Sequence, residues 1–298
     1  MKYGILAGVL WAVDTVILSV VLGMEPFASM ALSAVISAGL HDILCGCYMG
    51  VWSVFSYKAE FHDALKGKGK MLILAAALGG PVGMLGYLMA VDNLGAGYAA
   101  VLSVIFPAVG ALMSRILLKD RLRWFQYVCM AAAIGCIALI LWTPDNVVKN
   151  MGVGIFGATL CIIGWASEGV ICSYAQQDEA VSSEVALAIR EITSGLIYMI
   201  AIVVIVSTGE VSISHMPLQV WGGLALAAGA GVLSYLFYYK AIDMLGTARA
   251  MSLDMTYSIW TPVICMAFLG QQMGLMQICL TICVIICSVV AGNRFRFD

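Results

Sequence analysis

The sequence predicts an all-α membrane protein of ten transmembrane helices, arranged as two inverted five-helix repeats. Three observations lead there. The composition is apolar, span-length segments sort the basic residues to one side, and a pattern in the first half returns in the second.

Of 298 residues, 62% are hydrophobic and 11% are charged, with a mean hydropathy of +1.00. Soluble domains carry about 25% charged residues. A water-soluble fold of this size cannot hide so much apolar surface, so lipid is the solvent. The formal net charge of -2 argues against a nucleic-acid partner. The chain begins Met1-Lys2 and turns apolar at once. The stretch runs about 21 residues, contains Asp14 and lacks a small-residue cleavage site, so it reads as a first span rather than a signal peptide.

Ten segments are long and apolar enough to cross a bilayer: about 3–23, 30–56, 71–91, 95–117, 124–142, 152–174, 184–207, 218–240, 248–269 and 274–292. An even count puts both termini on one side. Of the 15 Lys and Arg residues, Lys2, Lys58, Lys66, Lys68, Lys70, Arg115, Lys119, Arg121, Arg123, Lys240, Arg249, Arg294 and Arg296 fall on that side. Lys149 falls on the other and Arg190 lies within a span. The positive-inside rule then makes both termini cytoplasmic in a multi-pass protein of the cell membrane.

The halves match at nearly constant offset. W-A-x-[DE]-x-V-I-x-S occurs at 11–19 and again at 165–173. Asp42-Ile43 with Gly46 matches Glu191-Ile192 with Gly195, and Ala90-x-Asp92-x-Leu94-Gly95 matches Ala241-x-Asp243-x-Leu245-Gly246. Phe106-Pro107 matches Thr261-Pro262. Five spans per half is an odd number, so the second half enters from the opposite side. Residues 1–146 and 147–298 are thus expected as two inverted repeats of one transport domain, with a site at their interface near the midplane.

Charge within a bilayer costs about 2.5–3.5 kcal/mol per residue on insertion scales. Yet Asp14, His41, Asp42, Glu168, Arg190, Glu191 and Asp254 lie within predicted spans. Trp11 and Asp14 share one helical face, and Trp165 and Glu168 repeat it. The eighth span adds Tyr235, Tyr238 and Tyr239. The ninth adds Asp254, Tyr257 and Trp260 on a single stripe. If the two indole-and-acid faces converge, the cavity suits an organic cation, because ring faces attract positive charge and a carboxylate balances it. The plainer alternative places Trp and Tyr in interfacial belts, the expectation for Trp52, Trp124, Trp142 and Trp221.

His41, Asp42, Glu191 and Asp254 form a candidate coupling set. His41-Asp42 reads either as a proton relay or as a packing pair. Arg190 is open to pairing with Glu191, Asp254 or Asp42. Asp92 and Asp243 are expected to cap following helices, and Pro107 and Pro262 to kink the fourth and ninth spans.

The ten cysteines all fall in apolar runs, and Cys279, Cys283 and Cys287 recur along one stripe. That spacing points to packing rather than to zinc or a disulfide framework. No phosphate-binding loop, G-x-S-x-G or H-E-x-x-H occurs. No cofactor, metal or enzyme activity is therefore expected, and a proton or sodium gradient is the expected drive.

The stretch A-x-D-x-L-G-A-G-Y-A-A-V at 90–101, Pro107 and Lys119-Asp120-Arg121-Leu122 resemble the drug/metabolite transporter superfamily, in particular its EamA-type ten-helix members. The second half repeats this as A-x-D-x-L-G-T-A-R-A-M-S at 241–252 with Pro262. Family members often carry Gly-Glu between the last two helices of each half. This chain has Lys119-Asp120 and Gln271-Gln272 there. Trp11, Trp165, the tyrosine-rich eighth span and His41-Asp42 are similar to the LicB-type choline transporters. That resemblance implies choline held in an aromatic cage between the halves. Transport of amino acids or other metabolites through the same fold, with Arg190 on a carboxylate, is the alternative. A lipid-head-group enzyme or a pore is less consistent with these residues.

Overall fold

The structure is a computed structural model. It describes every residue except 31, 57, 95–101, 142–148, 210, 212, 214–215, 270–273 and 294–298. For 54, 58–59, 91–92, 140–141, 262, 269, 277 and 292 it describes the backbone alone. The chain is helical throughout the described residues. In order come α1 (Lys2–Leu22), α2 (Ser33–Ser56), α3 (Lys58–Lys66), α4 (Met71–Ala77), α5 (Leu85–Leu94), α6 (Phe106–Leu117) and α7 (Trp124–Leu141). The second half holds α8 (Met151–Ala175), α9 (Ser183–Ser207), α10 (Leu218–Leu245), α11 (Thr247–Asp254), α12 (Tyr257–Leu269) and α13 (Leu275–Gly292).

Six helical stretches are long and apolar enough to span a bilayer: Lys2–Leu22, Ser33–Ser53, Lys68–Ala90, Met151–Ala175, Ser183–Ser207 and Leu218–Leu245. Phe106–Leu117, Trp124–Leu139 and Ile278–Ala291 are apolar but shorter. The molecule is therefore a multi-pass membrane protein. Its outward surface fits lipid: along α9, Leu196, Ile200, Val203 and Val204 form one exposed apolar stripe. Trp124, 76% exposed at the start of α7, sits where an interfacial belt residue would. Trp142 lies outside the described residues.

Packing runs between the halves. α1 lies along α10, and α8 lies along α4, α5 and the turn between them. α2 crosses α9, α7 packs on α13, and α6 packs on α11. At the α2–α9 crossing the backbones nearly touch. A Cβ on Gly46 would stand 2.9 Å from the Glu191 carbonyl oxygen, and one on Gly195 would stand 2.9 Å from that of Asp42. Any larger residue at either place would force the helices apart.

Three spans depart from straight helices. Between α4 and α5, residues Leu78–Met84 form a π-helical segment around Pro81, which has no N–H to donate. The fourth span is interrupted at Val104-Ile105, and Pro107 begins α6 rather than kinking a continuous helix. The ninth is interrupted at Met255-Thr256, so Pro262 lies inside α12 and the expected kink there is replaced by an earlier break. Asp243 caps nothing: it is exposed in the last turn of α10, and the residue before α11 is Gly246 at φ +85°. Asp92 and Gln271-Gln272 lie outside the described side chains.

Candidate functional site

Trp11 on α1 and Trp165 on α8 meet in the interior, ring centroids 6.4 Å apart and nearly perpendicular. Tyr235 of α10 approaches Trp11 edge-on at 5.5 Å. Tyr87 and Phe106 pack on Trp165 at 5.3 and 5.7 Å. These rings, with Tyr238, Tyr257, Ser234, Glu168 and Asp254, surround a cavity of about 400 Å³, its mouth included. Among the described residues, no Lys, Arg or His lines it. A second, smaller cavity shares Trp11, Trp165 and Tyr235 and adds His41, Asp42, Arg190 and Glu191, with Met84 and Gly231, to its wall. The three shared rings form a partition between an aromatic chamber and an ionic one.

The ionic chamber is a continuous chain of contacts. Asp14 Oδ1 stands 3.3 Å from His41 Nε2, a charge contact without good hydrogen-bond alignment. His41 Nδ1 is 3.1 Å from Asp42 Oδ1. Ser194 Oγ donates to Asp42 Oδ2. Arg190 Nη1 lies 3.7 Å from Asp42 Oδ2 and donates to Glu191 Oε2 at 2.8 Å. Arg190 Nε donates to Glu168 Oε1 at 2.8 Å, and the Tyr239 hydroxyl donates to the same oxygen at 3.1 Å. The guanidinium also covers the Tyr235 ring, its carbon 4.4 Å from the centroid. Asp14, His41, Asp42, Glu168, Arg190 and Glu191 are all buried. Burying such charges is costly unless each finds a partner, and here each does.

Several sequence-based placements change. Asp14 does not line the aromatic cavity but turns to His41. Tyr239 is fully buried and serves Glu168 from outside the cavity. Trp260 does not line the cavity, because the break at 255–256 disrupts the stripe it shared with Asp254 and Tyr257. Arg190 settles on Glu168, Glu191 and Asp42 together, and Asp254 is not among its partners. Trp11, Trp165, Glu168, Tyr235, Tyr238 and Tyr257 line the cavity, and Asp254 joins them there rather than in the ionic chain. The sequence reading passed over Tyr87, Phe106 and Ser234. It also passed over Gly79, on which a Cβ would overlap the Glu168 carboxylate.

An interior cavity walled by helices from both halves of the sequence fits the class that the comparisons show, a multi-pass membrane transporter of small molecules. The chain belongs to the EamA-like transporter family, whose profile matches residues 1–142 and 152–292. It is 30% identical over 258 residues to Protein LicB of Haemophilus influenzae, covering 87% of this chain and 85% of that protein. It is 24% identical over 204 residues to the uncharacterized transporter YyaM of Bacillus subtilis, covering 66% of this chain and 64% of that one. A solved crystal structure at 13% identity has the same fold, with a TM-score of 0.74 over 97% of this chain and 95% of the other.

Proposed function

We propose that the protein is a secondary active transporter of a small organic cation, choline or a related quaternary ammonium, working by alternating access between two inverted five-helix halves, 1–146 and 147–298. The observation that carries this reading is the aromatic cavity: among the described residues, six ring-bearing residues and two acids line it, with no basic residue. A quaternary ammonium has no N–H to donate, so ring faces answer it better than hydrogen-bond acceptors do. Each cation–ring contact contributes about 0.5–2 kcal/mol. The similarity to Protein LicB supports the choline-like assignment.

The inverted-repeat reading is supported by the pairing of helices. A two-fold axis that exchanges α1 with α8 also exchanges their partners, α10 with the α4–α5 span, and it maps the α2–α9 and α7–α13 pairs onto themselves. Interruptions at 104–105 and 255–256 fall at the offset of the sequence repeat. Both termini are placed in the cytoplasm by the distribution of Lys and Arg. His41 bridging Asp14 and Asp42 supports a proton route and hence a proton gradient as the drive, with sodium the alternative.

Transport or export of amino acids or another metabolite is the second reading. It needs Arg190 to meet a carboxylate, and Arg190 is already held by three acids of the protein and absent from the aromatic cavity.

The test is uptake of radiolabelled choline into proteoliposomes. Wild type is expected to accumulate choline saturably under an imposed gradient. Trp11→Ala and Trp165→Ala are each expected to weaken apparent affinity by about 2- to 30-fold. Absence of wild-type binding and uptake, with Arg190→Ala abolishing transport of an anionic metabolite, would overturn the proposal.

A further inference from the structure

Five carboxylates line or adjoin the two chambers: Asp14, Asp42, Glu168, Glu191 and Asp254. Four are answered by the protein itself. Asp14 and Asp42 share His41, while Asp42, Glu168 and Glu191 surround Arg190. Asp254 makes no side-chain hydrogen bond or ion pair with any described residue, and it faces the aromatic cavity.

We infer that Asp254 is the carboxylate that receives the charge of the transported cation, while Glu168 and Asp14 hold the framework. This rests on the cation reading above and assigns a role within it. Glu168 also touches the cavity, but its Oε1 already accepts from Arg190 and Tyr239, and its Oε2 lies where a Cβ on Gly79 would stand. Releasing Glu168 to a ligand would take one of three carboxylates from the guanidinium. Asp254 has no such commitment.

Its surroundings favour a cation twice over. Asp254 is the last residue of α11, and a helix C-terminus carries partial negative charge that attracts positive groups. It shares the cavity wall with the rings of Tyr238 and Tyr257, which offer no counter-charge. A half-buried carboxylate among rings, at a helix C-terminus and with no cation of its own, is an acceptor awaiting one.

The experiment compares choline with 3,3-dimethylbutan-1-ol, its neutral carbon isostere, in equilibrium binding to the purified full-length protein. The two ligands fill the same space and differ in charge. Wild type is expected to prefer choline at least tenfold, equivalent to about 1.4 kcal/mol. Asp254→Asn should bring the two within about threefold while leaving the alcohol's affinity unchanged. Asp254→Glu should keep the preference, and Asp254→Ser replaces the amide variant should that one misfold. Wild-type-like discrimination in Asp254→Asn overturns the inference, as does loss of discrimination in Glu168→Gln but not in Asp254→Asn. A wild type that binds choline and then fails this comparison leaves the cation reading standing. A wild type that binds no quaternary ammonium removes both.

Discussion

Replacing Arg190 by methionine keeps most of the side-chain bulk and deletes the one guanidinium in the ionic chamber. Glu168 and Glu191 each lose a 2.8 Å partner, and Asp42 loses one at 3.7 Å. All three stay buried, so water cannot take over. Removing one member of a buried ion pair costs about 3–5 kcal/mol, because the orphaned charge remains desolvated. The exposed pair Lys66–Asp63, whose side chains are 64% and 63% accessible, is worth about 0–1 kcal/mol by contrast. Thermal unfolding of purified protein in detergent at fixed pH, followed by tryptophan fluorescence, should show Arg190→Met melting on the order of 10 °C below wild type. Lys66→Ala should stay within about 2 °C. Arg190→Met combined with Glu191→Gln should recover part of the loss, since one orphan is then gone. The reasoning is refuted if Arg190→Met melts with wild type, or if the losses of the two single variants simply add.

Gly79→Ala should push the Glu168 carboxylate off Arg190 and Tyr239, costing about 1–3 kcal/mol of stability and most of the transport. Gly50→Ala, where a Cβ meets open space, should leave both unchanged; equal loss in the two would contradict the packing argument. On the loop between α8 and α9, Asp178 accepts backbone N–H bonds from Lys68 and Ala180 at 3.1 and 3.2 Å, which hold its carboxyl below the ordinary range. A lowered folded value stabilises above the unfolded aspartate value of about 3.9 and fades as pH falls through the lowered one. Asp178→Asn should therefore melt slightly below wild type at neutral pH and converge with it in acid. A difference that widens in acid would reverse the assignment.

The sequence foretold the meeting of Trp11 and Trp165, because a repeated pattern at fixed offset constrains two helices at once. It did not foretell where Asp14 points. Three residues along a helix turn about 300°, so Trp11 and Asp14 differ in direction by about 60°. That angle is enough to leave the indole in the partition and turn the carboxylate to His41 in the ionic chain. A span ended at 240 puts Tyr238 and Tyr239 near an interface, where the belt alternative would apply. α10 runs to Leu245, and both tyrosines are buried. The stripe of Asp254, Tyr257 and Trp260 assumed unbroken helical phase, which the two-residue turn at 255–256 resets. Partners of the buried acids depend on helix rotation and on glycine contacts across the interface, and neither is written in the periodicity of a single segment.

That turn at Met255-Thr256 matters beyond phase. Asp254 ends one rigid rod and Tyr257 starts the next, so the charged jaw and an aromatic jaw of the cavity belong to separate bodies joined by two residues. A continuous rod would lock their spacing. The turn at 255–256 sets it instead, so a substitution there would change the distance between carboxylate and ring without touching either.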